Sequence, residues 1–232
     1  GSLTRRLAER ARRVIAVEID ASVFPLLEET LAGLDNVDLV RADALQTDFD
    51  RLVYSRVAGE IGKYKVVANL PYYITTSLLM HLLEERFAAA RIVVMVQEEV
   101  ARRLVAPPGA RDYGALTVAA NFYAQVELAF RVPRTVFIPR PEVDSAVVSM
   151  QVRNAPAVPV QSERDFFSLV RAAFGQRRKT LLNALSGGMK QVSKKEWHVI
   201  LQRAGIDPAR RGETLSLHEF ARLADAYTDT VV

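Results

Sequence analysis

Residues 64–75 read YKVVANLPYYIT, in which an apolar run passes directly into an Asn-Leu-Pro-Tyr turn. The run Tyr64–Asn69 carries apolar residues on consecutive positions, which is typical of a strand buried on both faces of a parallel sheet. Beyond the turn, Thr75 is predicted to be the N-cap of a helix over residues 75–86. Strand, turn and helix in this order form the repeating unit of α/β proteins, whose sites lie at the carboxyl ends of the strands.

The same alternation of strand and helix extends to both sides of this stretch and predicts a parallel, doubly wound sheet. Two later β-like runs, residues 126–132 and 143–152, are joined by a Pro-rich loop and predict an antiparallel hairpin that closes the sheet edge. The remaining predicted strands cover residues 14–19, 37–41 and 92–97, and the remaining predicted helices cover residues 3–12, 22–34 with Ser22 as N-cap, and 97–105.

The composition changes after residue 153. Pro156 and Pro159 predict an extended linker, and no strand is predicted beyond it. Apolar residues at helical spacing then predict a small all-α domain over residues 154–232, following an α/β domain over residues 1–153. The pair Gly187-Gly188 is predicted to form a turn that ends a helix. The apolar positions are Phe166, Phe167, Leu169, Val170, Ala173, Phe174, Leu181, Leu182 and Leu185, then Trp197, Ile200 and Leu201, then Leu217, Phe220 and Leu223.

Composition excludes several classes of protein. The chain has 232 residues, half of them hydrophobic, which is enough for one large domain and one small one. Charged residues interrupt every apolar run, so we expect no membrane helix. There is no cysteine and the three histidines are scattered, so we expect neither a disulfide framework nor a metal site. The cytoplasm is the simplest expected location.

The positive charge is concentrated in one segment. The formal net charge of the chain is +4, whereas residues 164–195 carry eight Lys and Arg and one Asp, a net charge of +7. The rest of the chain is therefore slightly acidic. A local basic patch of this kind indicates a polyanionic partner such as a nucleic acid.

The N-terminal residues resemble the end of a nucleotide-binding turn. A doubly wound sheet of this class opens with a strand and a glycine-rich turn, and an acidic residue about 20 residues further on holds the ribose hydroxyls. Glu18 is the candidate for that acid, but Gly1 alone remains of the turn. We therefore expect a strand and the glycine-rich turn to precede residue 1 in the natural protein, so that this chain has an impaired cofactor site.

The Asn-Leu-Pro-Tyr turn has the chemistry to hold an adenine base. The exocyclic amine of adenine is a poor nucleophile, so an enzyme that alkylates it should accept hydrogen bonds from its two N–H groups. Asn69 Oδ1 and a backbone carbonyl, at either Leu70 or Pro71, could do so, and the ring of Tyr72 offers a stacking face. The alternative is an ordinary strand-to-helix turn that contains these residues.

The chain resembles the ribosomal RNA adenine N6,N6-dimethyltransferase family over nearly its whole length. The resemblance implies a Rossmann-like class I methyltransferase sheet, a small helical RNA-binding domain and S-adenosylmethionine as cofactor. It is strongest to the bacterial branch that dimethylates two adjacent adenosines near the 3′ end of 16S rRNA, in the small ribosomal subunit or its precursor. No sequence stretch resembles a dimerisation seam, so we expect a monomer. The matching blocks are GSLT at residues 1–4, VIAVEID at 14–20, ADAL at 42–45, NLPYYIT at 69–75, YGALTV at 113–118, VFIPRPEVDSAVV at 136–148 and AFGQRRKTLLNAL at 173–185.

The resemblance also implies roles for individual residues. Glu18 would bind the cofactor ribose, Asp43 would accept from the cofactor adenine amine, and Asn69 would lie where methyl donor and target amine meet. Phe137 would sandwich the flipped adenine opposite Tyr72. The remaining implied cofactor contacts are Gly1, Leu3, Ile19 and Ala44, and the implied RNA contacts are Arg177, Arg178, Lys179 and Asn183, with Arg102 and Arg103 as weaker candidates beside the acidic pair Glu98-Glu99.

Three other functions compete with this interpretation. A non-catalytic RNA-binding assembly factor could use the same fold, and the related resistance branch methylates large-subunit RNA. DNA adenine methyltransferases use a similar Asn/Asp-Pro-Pro-Tyr loop, but Leu70 in place of the first proline and the RRKTLLN block argue against them. Tyr73 also departs from many relatives, which carry Asn there, so a role that needs an amide at this position is in doubt.

Overall fold

A computed structural model describes residues 1–57, 59 and 62–231. The chain divides into two compact units: Gly1–Tyr64 with Ser77–Ala89, and Lys65–Thr76 with Ala90–Val232. Val232, the last residue of the predicted helical domain, lies outside the described residues. The predicted boundary at residue 154 falls inside the second unit and stays a prediction.

In the first unit two strands pair in parallel, as predicted. Strands β1 and β2 run in register from Val14↔Val37 to Glu18↔Arg41. Both strands are half-buried; helix α1 packs beside β1, and α2 packs on α1. The elements are α1 (Ser2–Ala8), β1 (Val14–Glu18), a short 3₁₀ helix (Ala21–Val23), α2 (Phe24–Leu31), β2 (Val37–Arg41), α3 (Phe49–Arg56) and most of α4 (Thr75–Glu84).

Two predicted helix caps are wrong. The side chain of Asp20, not Ser22, caps the short 3₁₀ helix by accepting a hydrogen bond from the Ser22 backbone N–H. Thr75 is the first residue of α4, and its buried hydroxyl donates to the Pro71 carbonyl at 3.0 Å. In both cases the side chain that makes the local bond could not be chosen from residue type, because Asp, Ser and Thr are all good caps.

The second unit contains most of a four-stranded sheet in the order β3-β4-β6-β5. Strand β6 runs antiparallel to both β4 and β5, so the predicted hairpin is confirmed, with β5 at the edge. In the sheet, β6 therefore lies between β4 and β5. The elements are β3 (Tyr64–Asn69), β4 (Ala89–Gln97), α5 (Glu98–Val105), α6 (Ala115–Tyr123), β5 (Ala124–Val132), a 3₁₀ helix (Arg134–Val136) and β6 (Ser145–Val152).

Hydrogen bonds between the described strands form two ladders. In the described part of the chain, β1 and β2 form one ladder and β3 to β6 form another. The expected strand before residue 1 stays a prediction.

Four helices follow β6: α7 (Glu163–Gly175), α8 (Leu181–Gly188), α9 (Lys194–Arg203) and α10 (Leu217–Val231). Most of the predicted apolar positions are buried, whereas Phe174, Leu182 and Leu217 are half-buried. Phe166 and Phe167 of α7 pack on the rings of Phe122 and Tyr123 at the end of α6. Gly188 ends α8, but a Cβ there would lie 2.9 Å from the Cβ of Ala172. Glycine at position 188 is therefore required by the close approach of α7 and α8. Neither glycine of the pair adopts the left-handed conformation of a helix-ending turn, since both are the last residues of α8 and Met189 follows as the C-cap.

Candidate active site and nucleic-acid interface

Glu18 and Asp43 lie at the carboxyl ends of the two adjacent parallel strands. Glu18 pairs with Arg41 at the last rung of the β1–β2 ladder, and Asp43 follows two residues later. One oxygen of Glu18 accepts from the backbone N–H groups of Ile19 and Asp20 at 2.8 and 2.9 Å. Asp43 Oδ1 accepts from the Leu45 N–H at 2.9 Å. Each carboxylate is thus oriented by its own turn and, among the described residues, keeps a second oxygen that accepts no hydrogen bond from the protein.

The other predicted cofactor residues also lie in the first unit. Gly1 precedes α1, and a Cβ at Gly1 would lie 2.7 Å from the Thr30 methyl, so this position needs a glycine. Leu3 and Ile19 are exposed, so both side chains are accessible to a ligand. Ala44 is half-buried beside Asp43.

The Asn-Leu-Pro-Tyr turn lies in the second unit, directly after β3. Asn69 is exposed, whereas the Leu70 side chain is only 4% exposed and anchors the turn. The Leu70 N–H donates to the Met95 carbonyl on β4 at 3.2 Å. The Pro71 carbonyl accepts twice, from the Thr75 hydroxyl and from the Ile74 N–H at 3.2 Å. Within the described residues the Leu70 carbonyl accepts no hydrogen bond, so it is the free acceptor next to Asn69.

Tyr72 is held by a residue that the sequence did not single out. Its hydroxyl lies 3.0 Å from the hydroxyl of Ser145, which is fully buried at the start of β6. Ser145 pairs with both Gln97 and Val132, so three strands fix its position. Tyr73 is 87% exposed by contrast. A serine 73 residues away in sequence gives no local signal of this contact; only its place in the VFIPRPEVDSAVV block could have indicated it.

Phe137 is carried by the loop of residues 133–144 between β5 and β6. The loop is closed by Arg134, whose N–H donates to Asp144 Oδ1 at 2.9 Å and whose Nη1 donates to the Glu142 carbonyl at 2.6 Å. Phe137 follows the 3₁₀ helix and is half-buried. The loop ends at Ser145, the partner of Tyr72. In the described part of the chain, the rings of Phe137 and Tyr72 do not contact each other.

The three basic residues predicted to contact RNA, Arg177, Arg178 and Lys179, differ in whether they are bonded within the protein. Arg177 is bonded within the protein: its Nε lies 3.1 Å from Glu213, and its Nη2 donates to the carbonyls of Arg111 and Tyr113. Arg178 and Lys179 are exposed and, among the described residues, have no side-chain partner. Asn183 is exposed on α8, one turn further on. Two of the three basic side chains are therefore available to a phosphate.

Arg102 and Arg103 of α5, the weaker candidates for RNA contacts, are also partly bonded within the protein. Arg102 lies 3.6 Å from Glu98 and 3.8 Å from Asp112, and about half of its side chain is exposed. Arg103 is half-buried, and its carbonyl accepts from the Thr117 hydroxyl. The acidic pair Glu98-Glu99 lines the same cleft as Arg102, together with Arg134 and Asp144. This helix end carries mixed charge.

Two searches of the described residues gave negative results. No group of three or more His, Cys, Asp and Glu side chains is close enough to hold a metal ion. Across those same residues, every helix is too short or too polar to cross a membrane.

A Rossmann-like α/β fold with acidic strand ends, an Asn-Leu-Pro-Tyr turn and a helical C-terminal part defines a class I methyltransferase. The family model for ribosomal RNA adenine dimethylase matches residues 1–223. The chain belongs to this family. The predicted family, fold class and enzyme class are thereby confirmed; the substrate is ribosomal RNA and the methyl donor is S-adenosylmethionine.

The similarity to individual relatives is high. The protein named Ribosomal RNA small subunit methyltransferase A from Pelotomaculum thermopropionicum is 55% identical over 99% of this chain and 79% of its own length. The protein of the same name from Moorella thermoacetica is 56% identical over 97% of this chain and 78% of its own length.

Two solved structures are also similar. A dimethyladenosine transferase from Plasmodium falciparum superposes with a TM-score of 0.77 at 25% identity, covering 96% of this chain and 84% of its own. The 23S rRNA methyltransferase ErmE has a TM-score of 0.68 at 26% identity, covering 97% of this chain and 86% of its own.

Proposed function

We propose that this chain transfers methyl groups from S-adenosylmethionine to N6 of two adjacent adenosines near the 3′ end of 16S rRNA, in the small ribosomal subunit or its precursor. The observation that carries the proposal is the turn after β3, where exposed Asn69 lies next to a Leu70 carbonyl without a protein partner in the described residues. The names of the two bacterial relatives, at 55% and 56% identity, favour the small subunit over the large one.

The residues of the first unit fit the cofactor. The free oxygen of Glu18 can accept from the ribose hydroxyls, and the free oxygen of Asp43 can accept from the adenine amine. Exposed Ile19 offers an apolar surface beside them, with Ala44 on the neighbouring turn and Gly1 and Leu3 at the start of α1. When bound, S-adenosylmethionine supplies an electrophilic methyl group on its sulfonium.

The turn after β3 would hold the target amine. Asn69 Oδ1 and the Leu70 carbonyl accept from its two N–H groups, because the Pro71 carbonyl is already bonded to Thr75 and Ile74. Accepting both hydrogen bonds directs the nitrogen lone pair out of the ring plane and towards the methyl donor. The nitrogen loses its proton readily once the methyl group has transferred, so no strong general base is required.

Two aromatic rings would hold the base itself. Tyr72 is fixed by Ser145, and Phe137 is carried on the loop that ends at Ser145. An adenine that has left its stack can lie between the two rings and regain stacking there.

The helical part would dock the RNA. Of the basic triplet, Arg178 and Lys179 have no side-chain partner in the described residues, and Asn183 is exposed near them. Contacts to phosphates of this kind weaken steeply as salt rises. A monomeric state and a cytoplasmic location stay predictions.

The test is transfer of labelled methyl groups to unmethylated small subunits, followed by digestion to identify dimethyladenosine. Wild-type protein should produce dimethyladenosine. Asn69→Ala should lower the rate by about 100-fold or more, because a donor or acceptor in a preorganised site is worth 10²–10³ in rate, while RNA affinity stays unchanged.

Three other outcomes would contradict the proposal in different ways. Transfer to large-subunit RNA alone would indicate the resistance branch. RNA binding without transfer would indicate an assembly factor. Equal loss of binding and transfer in Asn69→Ala would show that Asn69 is a structural residue.

A further inference from the structure

The loop of residues 133–144 exposes one large aliphatic side chain completely. Ile138 is 100% exposed, although it directly follows half-buried Phe137. Val136 and Val143 of the same loop are also exposed. A single exposed aliphatic residue is unremarkable on a protein surface, but several on one loop at a proposed site indicate a contact surface.

The loop is held firmly at both ends. Arg134 bonds to Glu142 and Asp144, and the Asp144 carbonyl accepts from the Glu98 N–H at 3.0 Å. The next residue, Ser145, binds Tyr72. Ile138 is therefore presented by a closed loop that is bonded to the turn proposed to hold the adenine.

Basic side chains flank this apolar tip. Arg140 is exposed and forms no ion pair in the part of the chain that the structure describes. Arg131, where β5 ends, is 66% exposed and lies 3.6 Å from Glu98. An exposed aliphatic side chain with arginines before and after it in the sequence matches a nucleic acid, since wedge residues enter a base stack while arginines contact phosphates.

We propose that Ile138 is a wedge that enters the RNA base stack beside the target adenine when that base turns out towards the enzyme. The idea rests on the proposed function and goes beyond it by assigning a residue that replaces the lost stacking. Turning a base out breaks its contacts with its neighbours. An aliphatic side chain that fills the gap offsets that loss and is itself removed from water, so Ile138 would stabilise the flipped state.

The experiment compares Ile138→Ala and Ile138→Leu with Val199→Ala, a control at a partly exposed aliphatic position on α9. Methyl transfer is measured on the small-subunit RNA and on the same RNA with an abasic site beside the target adenine. A parallel titration follows the fluorescence of 2-aminopurine placed at the target position.

Ile138→Ala should lower kcat/KM on the intact RNA by about 10-fold, the size expected for one stacking contact. On the abasic RNA the loss should shrink to less than about 2-fold, because the stack is already broken there. Ile138→Leu should retain most of the activity, and Val199→Ala should behave as wild type. The rise in 2-aminopurine fluorescence should be reduced in Ile138→Ala alone.

The proposal is overturned if Ile138→Ala loses activity equally on both RNAs, because that would indicate a general disturbance of the loop. It is also overturned if Ile138→Ala loses no activity on the intact RNA. Failure of the wedge is distinguishable from failure of the proposed function. Wild-type protein that methylates small subunits while Ile138→Ala is unaffected rejects the wedge alone, whereas wild-type protein that transfers no methyl group rejects both.

Discussion

The proposed cofactor residues of the first unit and the proposed base-binding turn of the second unit both follow strand ends, but they are held in different ways. In the first unit, Glu18 and Asp43 are oriented by backbone N–H groups one or two residues further along the chain. In the second unit, the turn after β3 is held by Met95 and Ser145, which are distant in sequence. A locally held side chain depends on its own turn, whereas the second arrangement depends on the whole sheet being formed.

The largest effect should come from the locally held carboxylate. Glu18→Gln keeps an oxygen that can accept from the turn N–H groups but removes the charge that would meet the ribose hydroxyls. Hydrogen bonds to charged groups are worth about 1.5–3 kcal/mol, so the Kd for S-adenosylmethionine should rise by about 10- to 100-fold in calorimetric titration. The control Asp20→Asn alters the neighbouring cap that binds Ser22 and should change the Kd by less than about 2-fold. Equal effects would show that Glu18 only shapes the turn.

Glu219 is bonded to nearby Ser216 and to more distant Arg210. Its titration should make the free energy of unfolding depend on pH. It accepts from Arg210 and from the N–H and hydroxyl of Ser216, and these bonds lower the pKa of Glu219 from 4.5 to about 2. A depressed pKa stabilises the fold above the unfolded-state value and not below the folded-state value. The free energy of unfolding should therefore fall by about 1–3 kcal/mol as the pH drops from about 4.5 towards 2.

Urea unfolding at several pH values measures this contribution. In Glu219→Gln the free energy of unfolding should already be lower at neutral pH, and it should change less over the acidic range. An unchanged acid profile in the variant would assign the loss of stability to other carboxylates.

Two neighbouring arginines of the basic triplet can be compared directly. Arg177 is bonded within the protein, whereas Arg178 is exposed. Arg177→Ala removes bonds to Glu213 and to two backbone carbonyls near Tyr113, whose own hydroxyl is tied to the Leu215 carbonyl. It should lower the free energy of unfolding by about 1–2 kcal/mol. Arg178→Ala should leave stability within about 0.5 kcal/mol of wild type and reduce the salt dependence of RNA binding by about one phosphate contact. The opposite pattern would mean that the two residues had been assigned the wrong way round.

The smallest effect should come from the hydroxyl of Tyr72. Tyr72→Phe keeps the stacking ring and removes the bond to Ser145, which is worth about 1 kcal/mol, so kcat/KM for methyl transfer should fall by about 5-fold. Tyr73→Phe removes a hydroxyl from an exposed ring and should have no measurable effect. If both variants behave alike, the contact with Ser145 does not position the ring.

Much of the fold could be predicted because its signals are local. The apolar runs at Val37–Arg41 and Tyr64–Asn69 became strands with those bounds, and most of the apolar positions predicted in the helical part are buried. Helix α6 was not predicted, because its burial covers nearly every residue and leaves no amphipathic period to detect.

By itself the sequence determined the family, the strand-end carboxylates and the Asn-Leu-Pro-Tyr turn, because each is carried by residue types in consecutive positions. Tertiary structure alone decided which acceptors and cations are free. It bonded the Pro71 carbonyl to Thr75 and left that of Leu70 open among the described residues, tied Arg177 to Glu213 while Arg178 stayed exposed, and brought Ser145 to Tyr72. Whether a polar group is available to a ligand depends on the partners that folding brings to it, and those partners can come from anywhere in the chain.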